Sequence, residues 1–273
     1  MDNATYQEIP CISSHWLKDL LESPAECYRK HLDPHRQEQK PSAAMQFGTL
    51  VHCLSLTPLQ FGDEFVIDTG NRRTKDGKAR YAALAATGKI VITPNDFERV
   101  QAIVAALKAD PDARKLITSG KKERTIIQSR QAGLLPLKAR LDVHQEEKRH
   151  VVELKTIYDL NLIETAMTRY RYPLSAAFYA DLSDSLRVTF VFVQTREPYE
   201  VQLLEMTKAM LAEGRNQWRT ALDRFDECWK ARDWSEAAPV ADLDDDPLFM
   251  SFTPTTTKNS PGRFDLPIGE LTL

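Results

Sequence analysis

The sequence predicts an α/β fold in which a central mixed β-sheet is flanked by helices. Short segments rich in Val, Ile, Phe and Thr recur between residues 125 and 205 and are separated by polar turns, as strands are. Two longer segments carry apolar residues at helical spacing, and a further helical segment that begins at a proline separates two of the strands. A helix between two strands permits a parallel crossover connection, so the sheet is expected to be mixed.

The first of these elements is a short helix near the amino terminus. It is predicted at 16–21, because Ser13 or Ser14 can cap it and its leucines fall on one side. Ser23-Pro24 then ends this helix and starts a second short one. The rest of residues 1–41 is expected to be irregular.

A buried helix is predicted next, at 44–57, with His52 inside it. Its apolar residues are Met45, Phe47, Leu50, Val51, Leu54 and Leu56. A short strand at 65–67, an Ala-rich helix near 81–86 and another strand at 90–92 follow. A longer helix to residue 109 then begins at Thr93-Pro94, and its apolar positions are Phe97, Val100, Ile103, Val104 and Leu107.

The central sheet occupies the second half of the chain. Its strands are predicted at 125–129, 135–143, 151–156, 188–194 and 201–205. A helix at 173–182 separates the third strand from the fourth, so these two are expected to be parallel. A long helix at 208–232 carries Leu211, Trp218, Leu222, Phe225 and Trp229 along one side.

Composition excludes several classes of protein. No run of about 18 apolar residues is present, so no membrane-spanning helix is expected. The four cysteines form no C-X-X-C pair, which argues against a zinc ribbon or a cysteine-held iron–sulfur cluster. The net charge of −3 argues against coating of nucleic acid but permits a local basic lining. The first residues lack the features of a signal peptide, so a cytoplasmic protein is expected.

Two basic stretches, 72–80 and 121–124, are interpreted as solvated loops. The domain boundary is placed after residue 238, because the polar, proline-containing segment 239–273 changes character. That segment begins with an acidic run and is either a disordered extension or a docking peptide.

A pair of strands carries the residues most suggestive of chemistry. Side chains alternate along a strand, so Glu153 and Lys155 point to the same face, and Asp142 on the paired strand can approach it. Two carboxylates, with the Leu154 carbonyl as a third oxygen, suit Mg²⁺, and Lys155 can orient water or offset charge on a phosphate. The alternative is a surface strand pair with a cross-strand ion pair.

Two other groups of residues have both structural and functional interpretations. His52 is either a core histidine or a metal ligand on a helix that faces the sheet. Ser175 and Tyr179 lie one helical turn apart, and tyrosines and arginines, including Arg171, cluster just before them. Aromatic and guanidinium groups together suit contacts with phosphates and bases.

Four blocks in this order resemble a known family. They are Ile12-Ser13-Ser14 with Ser23-Pro24-Ala25; Phe47-Gly48-Thr49-Leu50-Val51-His52 with Leu56-Thr57-Pro58; Lys138-Ala139-Arg140-Leu141-Asp142 with Glu153-Leu154-Lys155-Thr156; and Tyr170-Arg171-Tyr172 with Ala177-Phe178-Tyr179. Over residues 10–235 the chain resembles the RecE-type exodeoxyribonuclease (exodeoxyribonuclease VIII). That enzyme belongs to the PD-(D/E)XK superfamily, whose core is restriction-endonuclease-like.

The resemblance implies roles for individual residues. His52, Asp142 and Glu153 would be metal ligands, and Lys155 would be the catalytic lysine. The DNA-binding residues would be Ser13, Arg140, Arg171, Ser175 and Tyr179. Position 175 departs from the pattern, because the related nucleases often carry Gln there and Ser cannot make the same two-ended amide contact.

The resemblance also implies an activity. It is a Mg²⁺-dependent exonuclease, in which Mn²⁺ can substitute, that degrades linear double-stranded DNA from 5′ to 3′. The product is a 3′ single-stranded tail for a RecT-type annealing protein in phage recombination, and the enzyme would be a homo-oligomeric ring around DNA. Two alternatives stay open. One is a DNA-binding or adaptor protein that keeps the fold without useful activity; the other is a RecB-like or Cas4-like nuclease for single strands.

Overall fold

The computed structural model describes residues 3–36 and 40–235, which form two β-sheets and the helices around them. The strands are β1 Phe65–Ile67, β2 Ile90–Ile92, β3 Lys121–Gln128, β4 Leu137–Gln145, β5 His150–Ile157, β6 Arg187–Gln194 and β7 Val201–Glu205. β1 and β2 form a small parallel sheet, and the other strands form a five-stranded sheet in the order β3-β4-β5-β6-β7.

The helices of the described residues are α1 Asn3–Glu8, α2 Ser14–Glu22, α3 Pro24–Cys27, α4 Ala43–Leu56, α5 Phe61–Glu64, α6 Lys75–Ala85, α7 Pro94–Ala109, α8 Pro111–Thr118, α9 Ile163–Arg169, α10 Tyr172–Leu182 and α11 Lys208–Ala231. Side-chain caps fix several of their starts: Ser42, Thr93, Asp110 and Thr207 each accept a hydrogen bond from the amide three residues later. The local sequence therefore determines where each of these helices begins.

The large sheet is mixed, as predicted. β5 and β6 are parallel, whereas β3–β4, β4–β5 and β6–β7 are antiparallel. α9 and α10 form the crossover between the two parallel strands. This crossover places α10 over the sheet, where it contacts β4, β5 and β6.

Apolar clusters cover both faces of the sheet. On one face, α2, α10 and α11 contribute side chains such as Leu17, Phe178 and Phe225. On the other face, α4, α7 and α8 contribute Leu50, Ile103 and others, and the small sheet joins this cluster. Helices flanking a central mixed sheet confirm the predicted α/β class.

The two basic stretches interpreted as loops are largely regular structure, so that interpretation was wrong. Residues 121–124 are the beginning of β3, whose backbone pairs with β4 from Lys121↔His144 onward. Residues 75–80 form the first turns of α6, because the Thr74 hydroxyl caps that helix by accepting from the Gly77 amide. In both cases backbone pairing or capping fixes the conformation.

The short helices α1, α5 and α9 were not anticipated, since each is too short to show a helical repeat. All four cysteines lie buried and unpaired. Within the residues described, the model contains no helix both long and apolar enough to cross a membrane. The proposed extension 239–273 lies outside the described residues.

Candidate active site

The candidate site lies where β4 and β5 separate. Their backbone pairing ends at Val143↔Val152, so Asp142 and Glu153 follow immediately beyond the last paired residues. Their side chains replace the missing ladder bonds. Asp142 Oδ2 accepts from the Leu154 amide at 2.7 Å, and Glu153 Oε1 lies 3.5 Å from the Asp142 amide. The two carboxylates are thereby held against the two strands.

The side-chain alternation of β4 also breaks at this point. Leu141 packs into the apolar cluster on one face of the sheet, and Val143, two residues later, packs into the cluster on the other face. A regular strand would direct both to the same face. The irregular backbone therefore gives Asp142 a position between the two layers.

Lys155 completes the strand pattern predicted from the sequence. Its Nζ donates to Glu153 Oε2 at 2.9 Å and lies 3.8 Å from Asp142 Oδ2. Asp142 and Glu153 are almost fully buried, whereas the Lys155 side chain keeps 24% of its surface exposed. The Lys155 side chain is therefore one part of this cluster that an incoming ligand can reach.

His52 reaches the cluster from α4, on the second face of the sheet. Its Nδ1 lies 3.4 Å from Asp142 Oδ1, and a quarter of the side chain is exposed. Gly48 lies one turn before His52 on α4, and a Cβ at that position would lie 3.5 Å from the Thr156 hydroxyl of β5, an ordinary contact distance. The structure therefore gives His52 a polar partner in the cluster.

Glu123 joins the cluster from β3, and the sequence analysis missed it. It lies in the basic run interpreted as a loop, where a single acidic residue among three basic ones was the available signal. Its backbone is left-handed, with φ of 48°, at the position opposite Asp142 in the sheet register. One ligand atom each from His52, Glu123 and Asp142 lies within 4.8 Å of the others.

The carboxyl groups of the cluster have opposite pKa shifts. Burial pushes the pKa of Asp142 upward, but His52 and Lys155 outweigh it and hold that pKa at about 2. Burial and the Asp142 charge raise the pKa of Glu153 to about 7. Burial and Asp142 also raise the pKa of Glu123. Three acidic groups in one place therefore repel one another, and a cation between them would relieve that repulsion.

The two basic groups respond to the same carboxylates. Burial lowers the pKa of Lys155, yet Glu153 and Asp142 outweigh it, so the net shift is upward. The pKa of His52 is likewise lowered by burial but raised overall by Asp142. Lys155 is therefore protonated at neutral pH.

The donor set fits a divalent cation. Two carboxylates and one imidazole nitrogen converge, and oxygen-rich sets with one nitrogen suit Mg²⁺ or Mn²⁺. Glu153, predicted as a ligand, lies beside this group of three, where it contacts the Asp142 amide and the Lys155 ammonium. Leu154, whose carbonyl was a predicted ligand, lies between Glu153 and Lys155 on β5, with its side chain in the core.

The predicted DNA-binding residues occupy different parts of this region. Tyr179 is part-buried and accepts a hydrogen bond from the Ser14 hydroxyl at 3.2 Å. Arg140 is drawn toward the cluster, where its Nε donates to Glu123 Oε2 at 2.6 Å. Arg171 lies 3.3 Å from Glu22 on α2. Ser13 and Ser175 are both buried, Ser13 as the residue before α2 and Ser175 one turn before Tyr179.

Lys18 on α2 is a second basic group that the sequence analysis missed. Its Nζ lies 5.6 Å from the centroid of the Tyr172 ring, and Lys155 Nζ lies 6.0 Å from the same centroid. Burial, and then the Lys155 charge, lower the pKa of Lys18 to about 7. The ammonium groups of both lysines therefore lie near the same aromatic ring at the site.

Comparisons with known proteins identify the family and the fold of the chain. A family model described as a PDDEXK-like domain of unknown function (DUF3799) matches residues 13–245. The chain is similar to a solved structure of a candidate exonuclease from Eubacterium rectale, with 16% identity and a TM-score of 0.61 over 87% of this chain and 91% of that one. At that identity the likeness shows the fold.

A second solved structure, a phage related exonuclease from Haemophilus somnus 129PT, is 11% identical over 81% of this chain and 96% of that one, with a TM-score of 0.36. No curated protein matches the chain. Because the family model spans most of the sequence and the fold agrees with it, the chain belongs to the PDDEXK-like family DUF3799, within the PD-(D/E)XK nuclease superfamily.

Proposed function

We propose that the protein is a divalent-metal-dependent exonuclease that degrades linear double-stranded DNA. The observation that carries the proposal is the convergence of His52, Glu123 and Asp142 beside the Glu153–Lys155 pair. A phosphodiester is an anion, and its hydrolysis adds negative charge to the phosphate in the transition state. A group of carboxylates that can hold a cation, next to a protonated lysine, suits that reaction.

His52, Glu123 and Asp142 would hold the cation, with Glu153 adjacent to them. When bound, a divalent cation supplies Lewis-acid polarisation of the phosphodiester and charge neutralisation. Lys155 donates a hydrogen bond to Glu153, and its ammonium group would bind a phosphate oxygen or orient the attacking water. Tyr179 and Ser14, joined by their hydrogen bond, would line the path of the strand on the α2 side.

The finer features of the proposal come from the resemblance to RecE-type exodeoxyribonucleases. They are 5′-to-3′ polarity, preference for Mg²⁺ with Mn²⁺ as a substitute, a ring-shaped homo-oligomer, and a RecT-type annealing protein that receives the 3′ tail. A role in phage recombination and a cytoplasmic location belong to the same proposal. The family membership and the exonuclease name of a structural neighbour support the proposed nuclease activity in general.

Digestion of matched linear and closed-circular duplexes tests the activity. Each linear duplex carries a fluorophore at either the 5′ or the 3′ end, and reactions contain Mg²⁺, Mn²⁺ or EDTA. We expect loss of linear DNA only, early release of the 5′ label, and no reaction with EDTA. Early release of the 3′ label would reverse the polarity, and cutting of circles would indicate an endonuclease. No cleavage by folded protein that binds DNA would favour the adaptor alternative, for which Ser175 in place of Gln is the available observation.

A further inference from the structure

A chain of aromatic rings leads from the catalytic lysine to the protein surface. Lys155 Nζ lies 6.0 Å from the Tyr172 ring centroid, and the Tyr170 ring centroid lies 5.7 Å from that of Tyr172. Tyr172 is held in place by stacking on Phe190 at 5.3 Å. Tyr170 is 51% exposed, so the chain of rings ends in an aromatic face open to solvent. The exposed Tyr170 ring is therefore the outer end of a run of rings that begins beside Lys155.

The backbone fixes the position of Tyr170. It follows the last residue of α9, and its amide donates to the Ala166 carbonyl at 3.0 Å. The next residue, Arg171, adopts a left-handed conformation with φ of 45°, and its amide donates to the Thr168 carbonyl at 3.0 Å. This sharp turn between α9 and α10 presents Tyr170 outward without a flexible loop, so little ordering would accompany contact with a ligand.

An arginine lies beside the exposed Tyr170 ring. The guanidinium carbon of Arg169 lies 5.8 Å from the Tyr170 ring centroid, and Arg169 is itself exposed. An aromatic face with an arginine beside it is the combination that binds single-stranded nucleic acid, because the ring stacks on a base and the cation attracts the phosphate. A protein partner would require neither the arginine beside the ring nor the run of rings that leads to Lys155.

We propose that Tyr170 and Arg169 form a stacking site for an unpaired nucleobase of the strand whose phosphate lies at Lys155. The inference rests on the proposed function and extends it, because it names the form of the substrate: a DNA end whose bases are unpaired at the site. A base inside a duplex has both faces covered by its neighbours and cannot stack on a protein ring. The site would therefore favour a single-stranded or opened end over a closed one.

The test measures binding without turnover. A single-stranded oligonucleotide carries the fluorescent base 2-aminopurine at successive positions from its 5′ end, and wild-type protein is added in EDTA. Stacking on tyrosine quenches that base, so we expect strong quenching at one or two positions. In Tyr170→Ala the quenching should disappear and Kd should rise by roughly 5- to 150-fold, the range for loss of one base–aromatic stack. Tyr170→Phe should restore both.

A matched control is Tyr81→Ala, because Tyr81 is also exposed and also lies under an arginine, with the Arg72 guanidinium 4.5 Å from its ring, but it belongs to α6. Tyr81→Ala should bind and quench as wild type does. Equal binding and quenching by Tyr170→Ala and wild type would overturn the inference, and so would an equal loss in Tyr81→Ala. Wild-type protein that binds no single strand would overturn it too.

The two proposals fail separately. If wild-type protein digests linear DNA while Tyr170→Ala binds normally, the stacking site is wrong and the exonuclease stands. If the quenching depends on Tyr170 but no substrate is cut under any metal condition, the stacking site stands and the exonuclease is wrong.

Discussion

At the scale of the residue, the surroundings of two neighbouring carboxyl groups shift their pKa values in opposite directions. Asp142 is stabilised as an anion by His52, Lys155 and the Leu154 amide, whereas burial and the Asp142 charge raise the pKa of Glu153 to about 7. The difference follows from their neighbours, since both side chains are buried. A cation at His52, Glu123 and Asp142 would favour the ionised form of every carboxyl group near it.

Glu123→Gln tests whether the residue from β3 takes part in metal binding. The change removes one negative charge from the group of three, so we expect Mn²⁺ affinity to fall roughly ten-fold or more, with cleavage falling in parallel. Calorimetry measures the affinity. The control is Glu146→Gln. Glu146 is an exposed carboxylate that pairs with Lys121, which lies on β3 as Glu123 does. Equal Mn²⁺ affinity in Glu123→Gln and wild type would remove Glu123 from the site.

At this scale the sequence predicted four of the residues that the structure brings together. His52, Asp142, Glu153 and Lys155 could be found because strand alternation and a recognisable order of blocks placed them. Glu123 was missed, because its approach to Asp142 depends on its own left-handed backbone, and the single acidic residue in a basic run was too weak a signal to indicate it. Lys18 was missed too, since its significance comes from the Tyr172 ring on a distant helix.

At the scale of the element, α10 and α11 pack closely against each other, and a glycine permits the contact. A Cβ at Gly214 would lie 2.0 Å from the Pro173 carbonyl oxygen, which belongs to the backbone of α10. This contact fixes how closely α11 packs on α10, the helix that also carries Ser175 and Tyr179. No sequence pattern identified Gly214, although the long helix itself was predicted.

Gly214→Ala should therefore destabilise the protein. Alanine favours a helix over glycine by roughly 1 kcal/mol, but the clash with the Pro173 carbonyl should cost more, about 1–3 kcal/mol net. The urea midpoint of unfolding measures the change. The control is Gly62→Ala in α5, where a Cβ would meet nothing within 4 Å, so that variant should be as stable as wild type or slightly more so. A Gly214→Ala protein as stable as its control would refute the packing argument.

The pairing of β5 with β6 predicts a dependence of stability on pH. His150 is 2% exposed and its Nε2 lies 2.8 Å from the Thr189 hydroxyl on β6. Burial, and then the Arg187 charge, lower the pKa of His150 to about 4, whereas an unfolded histidine titrates near pH 6.5. Between these values the unfolded chain binds the proton and the folded chain does not, so this residue reduces stability as the pH falls.

His150→Gln isolates that contribution, because glutamine can keep a hydrogen bond to Thr189 and does not titrate. Between pH 6.5 and 4, wild type should lose up to about 1.4 kcal/mol per pH unit relative to the variant, and above pH 7 the difference should be constant. Unfolding in urea across this range measures it. A constant difference throughout would show that His150 does not titrate differently on folding.

At the scale of the whole molecule, the site draws on both layers of helices. α4 brings His52 from one face of the sheet, while α2 and α10 bring Lys18 and Tyr179 from the other, and they meet where β4 and β5 separate. The mixed sheet and the crossover were predictable because hydrophobic periodicity marks strands and helices. The separation of the strands was not, since it arises from Asp142 and Glu153 replacing backbone bonds with side-chain ones.

In the function proposed above, the junction of β4 and β5 is a metal-dependent nuclease site in which Lys155 acts on the phosphate. Single-turnover cleavage of a linear duplex by wild type and Lys155→Ala, with Mn²⁺ binding measured on the same preparations, tests it most directly. We expect Lys155→Ala to fold, to bind Mn²⁺ and DNA, and to cleave at least about a hundred-fold more slowly, as loss of a transition-state charge contact does. Near-wild-type cleavage by a folded Lys155→Ala protein would contradict it.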